Sequence, residues 1–301
     1  MTKNRYFGVL SGFLITALVQ SSSATTVMTV SFVNAGLMDL VESAGVMLGA
    51  NVGTTITGWL VAKLGFKISM SALSIPMLAF AVPMLFAKRS RTKFIGEFLV
   101  GFAILFWGLS ELKHAVPDLK HNPDALFFLK DYASGGLLNN LLFVGVGTLL
   151  TIIVQSSTAA MALTQTLCVT GILPFEIAAA MVLGENIGTT ITAELASIPA
   201  NVHAKRSARI HSLFNVIGVS WMIILISFVI DLPLVINWIG ENVLSMDVNP
   251  VDNNTETSIA IFHTTFNLLN VGIMIWFVPW LVKTAKNSVK SKGGLDETFK
   301  L

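Results

Sequence analysis

Two short polar stretches, each set inside apolar sequence, carry most of the residues that could do chemistry. One is Gln20-Ser21-Ser22-Ser23-Ala24-Thr25-Thr26; the other, Gln155-Ser156-Ser157-Thr158-Ala159, lies 135 positions later. Each is followed at one fixed distance by a second motif, Asn51-Val52-Gly53-Thr54-Thr55-Ile56-Thr57 and Asn186-Ile187-Gly188-Thr189-Thr190-Ile191-Thr192. Hydroxyl groups donate hydrogen bonds to anionic oxygens and offer lone pairs to a cation, so one cluster suits both kinds of ion. No Lys or Arg lies in any of the four motifs. An anion held there would be balanced by hydroxyls, helix-terminal dipoles and a co-bound cation, which makes the binding of one ion depend on the other. Asn carbonyls, Thr hydroxyls and backbone carbonyls freed at a glycine are hard oxygen ligands. They suit sodium, because magnesium and calcium sites usually recruit carboxylates. Glu185, where the first copy has Ala50, is the one acid beside a motif. An acid inside a membrane segment is a functional candidate by default, here as an accessory partner for a cation or proton.

Laying residues 12–57 on 147–192 without a gap gives 19 identities in 46 positions, where apolar composition alone would give roughly 5. The chain is internally duplicated. Small hydroxyl residues in membrane helices often do no more than pack interfaces or bond to backbone. Two pairs of motifs at one offset weigh against that bland reading. An intramembrane serine hydrolase would need one nucleophile and one base, with no reason to repeat the serine cluster. The reading is therefore not an enzyme.

The elements that must position these residues follow from composition. Of 301 residues, 53% are hydrophobic and 12% charged, against about 25% charged in soluble domains. Apolar tracts of membrane-spanning length recur, which predicts an all-α integral membrane protein. Residues 7–33 are too short for two spans and too polar at Gln20–Ser23 for one, so a re-entrant hairpin with its tip at the serines is expected. Asn34-Ala35-Gly36 then turns the chain. A span over 43–62, broken near Gly49–Gly53, is followed by spans over 68–87 and 94–112. A polar loop over 113–136 leads to a second hairpin over 137–168, then a span over 177–197 broken at Gly184–Gly188. Spans over 210–230 and 259–282 follow, separated by an acidic connection with an amphipathic piece at 235–244. Cys168 reads as a small buried hydrophobe. His211 and His263 sit in matching His-x-x-Phe-Asn patterns and read as helix-bonding residues rather than ligands.

Charge tests this topology. With both hairpins re-entrant, 14 of the 19 basic residues fall on one side, among them Lys3, Arg5, Lys88–Lys93, Lys205–Arg209 and the tail. The positive-inside rule places both ends of the chain in the cytoplasm, and the repeats inverted relative to each other. Hairpins that cross as single spans would set the basic clusters opposite Lys3 and Arg5, a weaker arrangement that stays open. Lys88–Lys93 reads as an inner-surface anchor.

At Gln20-Ser-Ser-Ser-Ala-Thr-Thr and Gln155-Ser-Ser-Thr, each followed by Gly-x-Asn-(Val/Ile)-Gly-Thr-Thr, the chain resembles the type II sodium–phosphate cotransporter family. The resemblance covers nearly the whole chain and includes the His211/Phe214/Asn215 helix. It implies two inverted repeats, each with a re-entrant hairpin and a broken transmembrane helix, in the plasma (inner) membrane. It further implies sodium-driven uptake of inorganic phosphate by alternating access, with sodium as coupling ion and no other cofactor. Carried over by position, Ser21, Ser22, Ser23, Ser156, Ser157 and Thr158 would bind phosphate. Gln20, Asn51, Thr54, Thr55, Gln155, Asn186, Thr189 and Thr190 would serve sodium and hold the tips, with Glu185 accessory. The expected partners are phosphate, sodium and the lipid bilayer, not nucleic acid; a homo-oligomer is left open. The expected divisions are a first repeat over 1–92 without its leading helix, a second repeat plus final span over 93–282, and a basic tail over 283–301. A membrane-embedded binding or anchor module for a missing cytosolic domain, and a symporter of another oxyanion, are the alternatives.

Overall fold

The computed structural model describes residues 4–67, 70–115, 136–250 and 254–298, and their regular structure is helical. The helices are α1 (Arg5–Val19), α2 (Ser22–Asn34), α3 (Leu40–Leu60), α4 (Met70–Met84), α5 (Ser90–Ala115), α6 (Leu137–Val154), α7 (Ser157–Val169) and α8 (Phe175–Ser197). They continue as α9 (Val202–Phe228), α10 (Leu232–Val243), α11 (Thr255–Met274) and α12 (Val278–Ser288). Among the described residues four stretches are long and apolar enough to cross a membrane: Leu40–Gly65, Leu137–Val154, Val202–Phe228 and Thr255–Ser288. The chain is an integral membrane protein. Most of the expected polar loop, with Lys120 and Lys130, lies outside the described residues, as do Lys3, Lys300 and the start of the span expected at 68–87.

The centre of the molecule is the pair α3 and α8. α1 packs along α3, and α6 packs along α8. The second arms cross over: α2 touches both α3 and α8, and α7 does likewise. α9 and α11 fill in behind, bringing Phe214, Phe262 and Phe266 into the core with almost no exposure.

The structure corrects one expectation about the central helices. Neither is broken at its glycine motif: α3 runs α-helical through Gly49–Gly53 and α8 through Gly184–Gly188. The glycines serve close approach instead. A Cβ on Gly49 would lie 1.9 Å from the Val9 carbonyl oxygen, and one on Gly12 1.9 Å from that of Val46. The second copy repeats this, with Gly184 at 2.0 Å from the Val144 oxygen and Gly147 at 2.1 Å from the Met181 oxygen. These are backbone atoms and cannot swing aside. Gly184→Ala or Gly49→Ala should therefore destabilise the protein by about 1–3 kcal/mol through overpacking. A thermal melt in detergent checks it: an unchanged Tm for both would mean that the arms are not held this closely. The departure from α geometry comes after α3, where Val61–Lys67 is π-helical.

Two boundaries fall away from the expected places, each for a local reason. α9 starts at Val202 rather than near 210 because Asn201 caps it, its Oδ1 accepting from the Ala204 amide at 3.0 Å. Lys205, Arg206 and Arg209 thus sit on helix, with Arg209 Nε bonded to Glu194 Oε1 at 2.9 Å. The last span is interrupted at Ile275–Phe277, one turn before Pro279. Proline has no N–H to give the carbonyl four residues back. That carbonyl, on Ile275, accepts from Arg5 Nη1 at 3.1 Å, and the same guanidinium lies over the Trp276 and Tyr6 rings.

Candidate functional site

The two hairpins turn in the same way. Gln20 and Gln155 both have φ 57°, and Ser21 and Ser156 then extend at φ −145° and −146°. A left-handed residue closes a helix by turning the chain off its axis. Glutamine is a costlier choice there than glycine, but its side chain contributes something glycine lacks. Gln20 Nε2 donates to the Ala17 carbonyl at 2.6 Å, and Gln155 Nε2 donates to that of Ile152 at 2.5 Å. Carbonyls that the helix end leaves unpaired are thereby satisfied. Ser21 and Ser156 then start the second arms, each Oγ accepting from an amide three residues on at 3.2 Å.

Both tips open on one cavity of about 510 Å³, lined by Gln20–Ser23 from the first hairpin and Gln155–Thr158 from the second. All six predicted phosphate-binding residues are brought together there. The N-termini of α2 and α7 meet the same cavity, and a helix N-terminus carries unpaired amides and a partial positive charge. Among the described residues no charged side chain lines it. The hydroxyl of Ser22, on a residue 4% exposed, has no hydrogen-bond partner. The opposite wall is apolar and comes from Val61 and Leu64 of the π-helical turn and from Phe98, Phe102, Leu105 and Phe106 of α5. The rings of Phe102 and Phe106 lie 4.6 Å apart.

Beside this cavity is a niche of about 10 Å³, about the size of one water. It shares Ser157, Thr158 and Thr57 with the tip cavity and adds Thr54, Asn186, Glu185 and His263. Of the residues expected to serve sodium, Gln20 and Gln155 line the cavity, and Thr54 and Asn186 line the niche. The others sit elsewhere. Asn51 Nδ2 donates to Asn215 Oδ1 at 2.6 Å, and its Oδ1 lies 3.3 Å from His211 Nε2, in a buried network. The hydroxyls of Thr55, Thr189 and Thr190 donate to carbonyls one turn back, the usual bond of a mid-helix threonine.

Several lining residues were not singled out from sequence. Thr57 Oγ1 donates to Gln20 Oε1 at 2.9 Å and ties the first tip to α3. It is the last residue of the repeated Asn-to-Thr segment, so the duplication contained the signal. His263, whose sequence pattern favours a helix-bonding role over a ligand role, lines the niche, and the α5 wall carries no sequence mark beyond three phenylalanines at helical spacing.

The Na+/Pi-cotransporter family matches residues 1–114 and 129–242. The chain belongs to that family. Over 289 residues it is 30% identical to the Escherichia coli K12 protein named "Putative inorganic phosphate export protein YjbB", covering 95% of this chain and 48% of that one. It is 33% identical over 218 residues to "Uncharacterized protein YqeW" of Bacillus subtilis, covering 70% of this chain and 67% of the other. Over 59 residues it is 41% identical to the sheep "Sodium-dependent phosphate transport protein 2A", which is 20% of this chain and 9% of that one. The chain thus spans about half the length of the Escherichia coli relative. No solved structure matches.

Proposed function

We propose that the chain is a sodium-coupled symporter of inorganic phosphate, with phosphate held between the two hairpin tips. The observation that carries this is the cavity into which both Gln-Ser-Ser tips and two helix N-termini open, with no cationic side chain among the described residues of its lining. Phosphate would take hydrogen bonds from Ser21–Ser23 and Ser156–Thr158 and from the first amides of α2 and α7. Dipoles and neutral donors do not cancel an anion's charge, so a cation close by completes the balance. The niche with Thr54 and Asn186 adjoins the cavity and supplies neutral oxygens for sodium, with Thr57, Ser157 and Thr158 at the shared edge.

Alternating access follows from the duplication. In this reading the hairpins are re-entrant, entering from opposite sides: in the first, neither α1 nor α2, at 15 and 13 residues, reaches across a ~30 Å core at ~1.5 Å per residue, and the second, whose α6 has the length of a span, repeats the turn of the first. The repeats are then inverted, both ends of the chain are cytoplasmic, and the site lies near the midplane of the inner membrane, as in other transporters of this plan.

The test is uptake by the purified chain in liposomes. Labelled phosphate should enter under an inward sodium gradient and not under an equal potassium gradient. Equal uptake with potassium ends the coupling claim, and no uptake with either leaves the membrane-embedded binding module. The Escherichia coli relative's name points to export. A symporter runs down the summed gradients of its ions, so loaded vesicles in an outward sodium gradient should release phosphate through the same site.

A further inference from the structure

The two repeats carry matching polar clusters, and one of them is closed while the other is open. In the first, Asn51 pairs with Asn215 and meets His211, and the residue before it, Ala50, is fully buried and apolar. In the second, Asn186 turns away and its Nδ2 donates to the Val182 carbonyl at 3.2 Å. The counterpart of Asn215 is Asn267, whose Oδ1 is buried without a partner; Nδ1 is buried without a partner in both His211 and His263, so the difference between the clusters lies in the asparagines and in Glu185. Ala50 is replaced by Glu185, 3% exposed, and its carboxylate has one bond, from Thr164 Oγ1 to Oε1 at 2.7 Å. Among the described residues no basic side chain pairs with it.

A carboxylate placed this way in a membrane protein calls for a positive partner, because an unpaired buried charge costs several kcal/mol. The space beside Glu185 is the niche of about 10 Å³, room for a single bare ion or water. Its other polar lining is the hydroxyls of Thr54, Thr57, Ser157 and Thr158, the Asn186 amide and the His263 ring. Among the described residues no group of three or more His, Cys, Asp and Glu gathers anywhere. One carboxylate with neutral oxygens matches a single positive charge rather than a divalent ion.

We infer that Glu185 makes this niche a resident site for one monovalent cation, which the protein holds whether or not phosphate is bound. The inference rests on the sodium-coupled reading and sharpens it. A cation site of neutral oxygens alone would fill only when phosphate supplied the negative charge. Here an ionised Glu185 supplies that charge from the protein itself, so the cation displaces a proton, enters first and stands beside Ser157 and Thr158 before the anion arrives. The first repeat, with Ala50 and a self-satisfied Asn51, has no such site.

The experiment measures Tm in detergent without phosphate, in sodium chloride against choline chloride at equal ionic strength. The wild-type Tm should rise with sodium and saturate, as stabilisation by a ligand of the folded state requires. Glu185→Gln, which keeps the shape and removes the charge, should raise the half-saturating sodium at least tenfold, and Glu185→Asp should weaken it less. An identical sodium response in Glu185→Gln, or no specific response in the wild type, overturns the inference; the latter is also what a protonated Glu185 would give. If Glu185→Gln does not fold, equilibrium binding of radiolabelled sodium to the wild-type protein without phosphate decides: one ion per chain is expected, and none overturns the site. These readouts need no transport. An intact sodium response in a protein that takes up no phosphate would sink the symport reading and leave the cation site standing.

Discussion

Ser22→Ala should raise the half-saturating phosphate concentration for uptake by about tenfold or more, with Tm unchanged or slightly higher. The Ser22 hydroxyl is buried in the tip cavity and bonds to nothing in the protein. A hydrogen bond to a charged group is worth about 1.5–3 kcal/mol, and each 1.4 kcal/mol is a factor of ten in affinity. Removing an unsatisfied buried hydroxyl carries no cost to the empty fold. Ser21→Ala should behave differently, because its Oγ caps α2. Loss of an N-cap costs about 1 kcal/mol of stability, so that variant should lower Tm as well as affinity. Uptake kinetics and melts on both variants separate the roles. If Ser22→Ala transports with unchanged phosphate dependence, the anion does not sit at the first tip.

How much of this was legible beforehand depends on which kind of signal a residue leaves. The tips were legible because Gln, Ser and Thr in an apolar tract have few reasons to be there, and because the tract occurs twice. The cavity that joins them was not: it depends on α2 and α7 crossing to the opposite central helices, and no local pattern encodes a crossing. Gly49 and Gly184 illustrate the limit from the other side. Their presence was read as permission to unwind, yet a glycine also permits contact, and the choice between the two is made by a partner helix far away in sequence. Asn51 and Asn186 are identical in their motifs and differ in their neighbours. Asn215 lies close enough to pair with the first, whereas the second turns toward its own helix. Their identical motifs imply one role for both; packing separates them.

The left-handed glutamines lead to the other large effect. Gln155→Val should reduce uptake by on the order of tenfold to a hundredfold, whereas Gln155→Gly should keep most of it. At φ 57° a β-branched residue is a genuine outlier, and holding it there costs about 1–3 kcal/mol. The hairpin would relax by rotating the start of α7, which moves Ser156–Thr158 and the α7 amides out of register with the first tip. Displacements of this kind, on the order of 1 Å, lower rates by about a hundredfold in well-positioned sites. Glycine adopts the same φ without strain; it gives up the amide bond to the Ile152 carbonyl, a net loss of about 0.5–1.5 kcal/mol, together with a polar side chain of the cavity lining, and keeps the tip in register. Gln20→Gly should be worse than Gln155→Gly, since Gln20 also accepts from Thr57, while Thr192, the counterpart of Thr57, donates to its own helix at Thr189. Phosphate uptake and Tm for the three variants test the order. Equal uptake by Gln155→Val and Gln155→Gly would show that the tip tolerates rotation, and the site would then rest on its hydroxyls alone rather than on two helix ends fixed toward one anion.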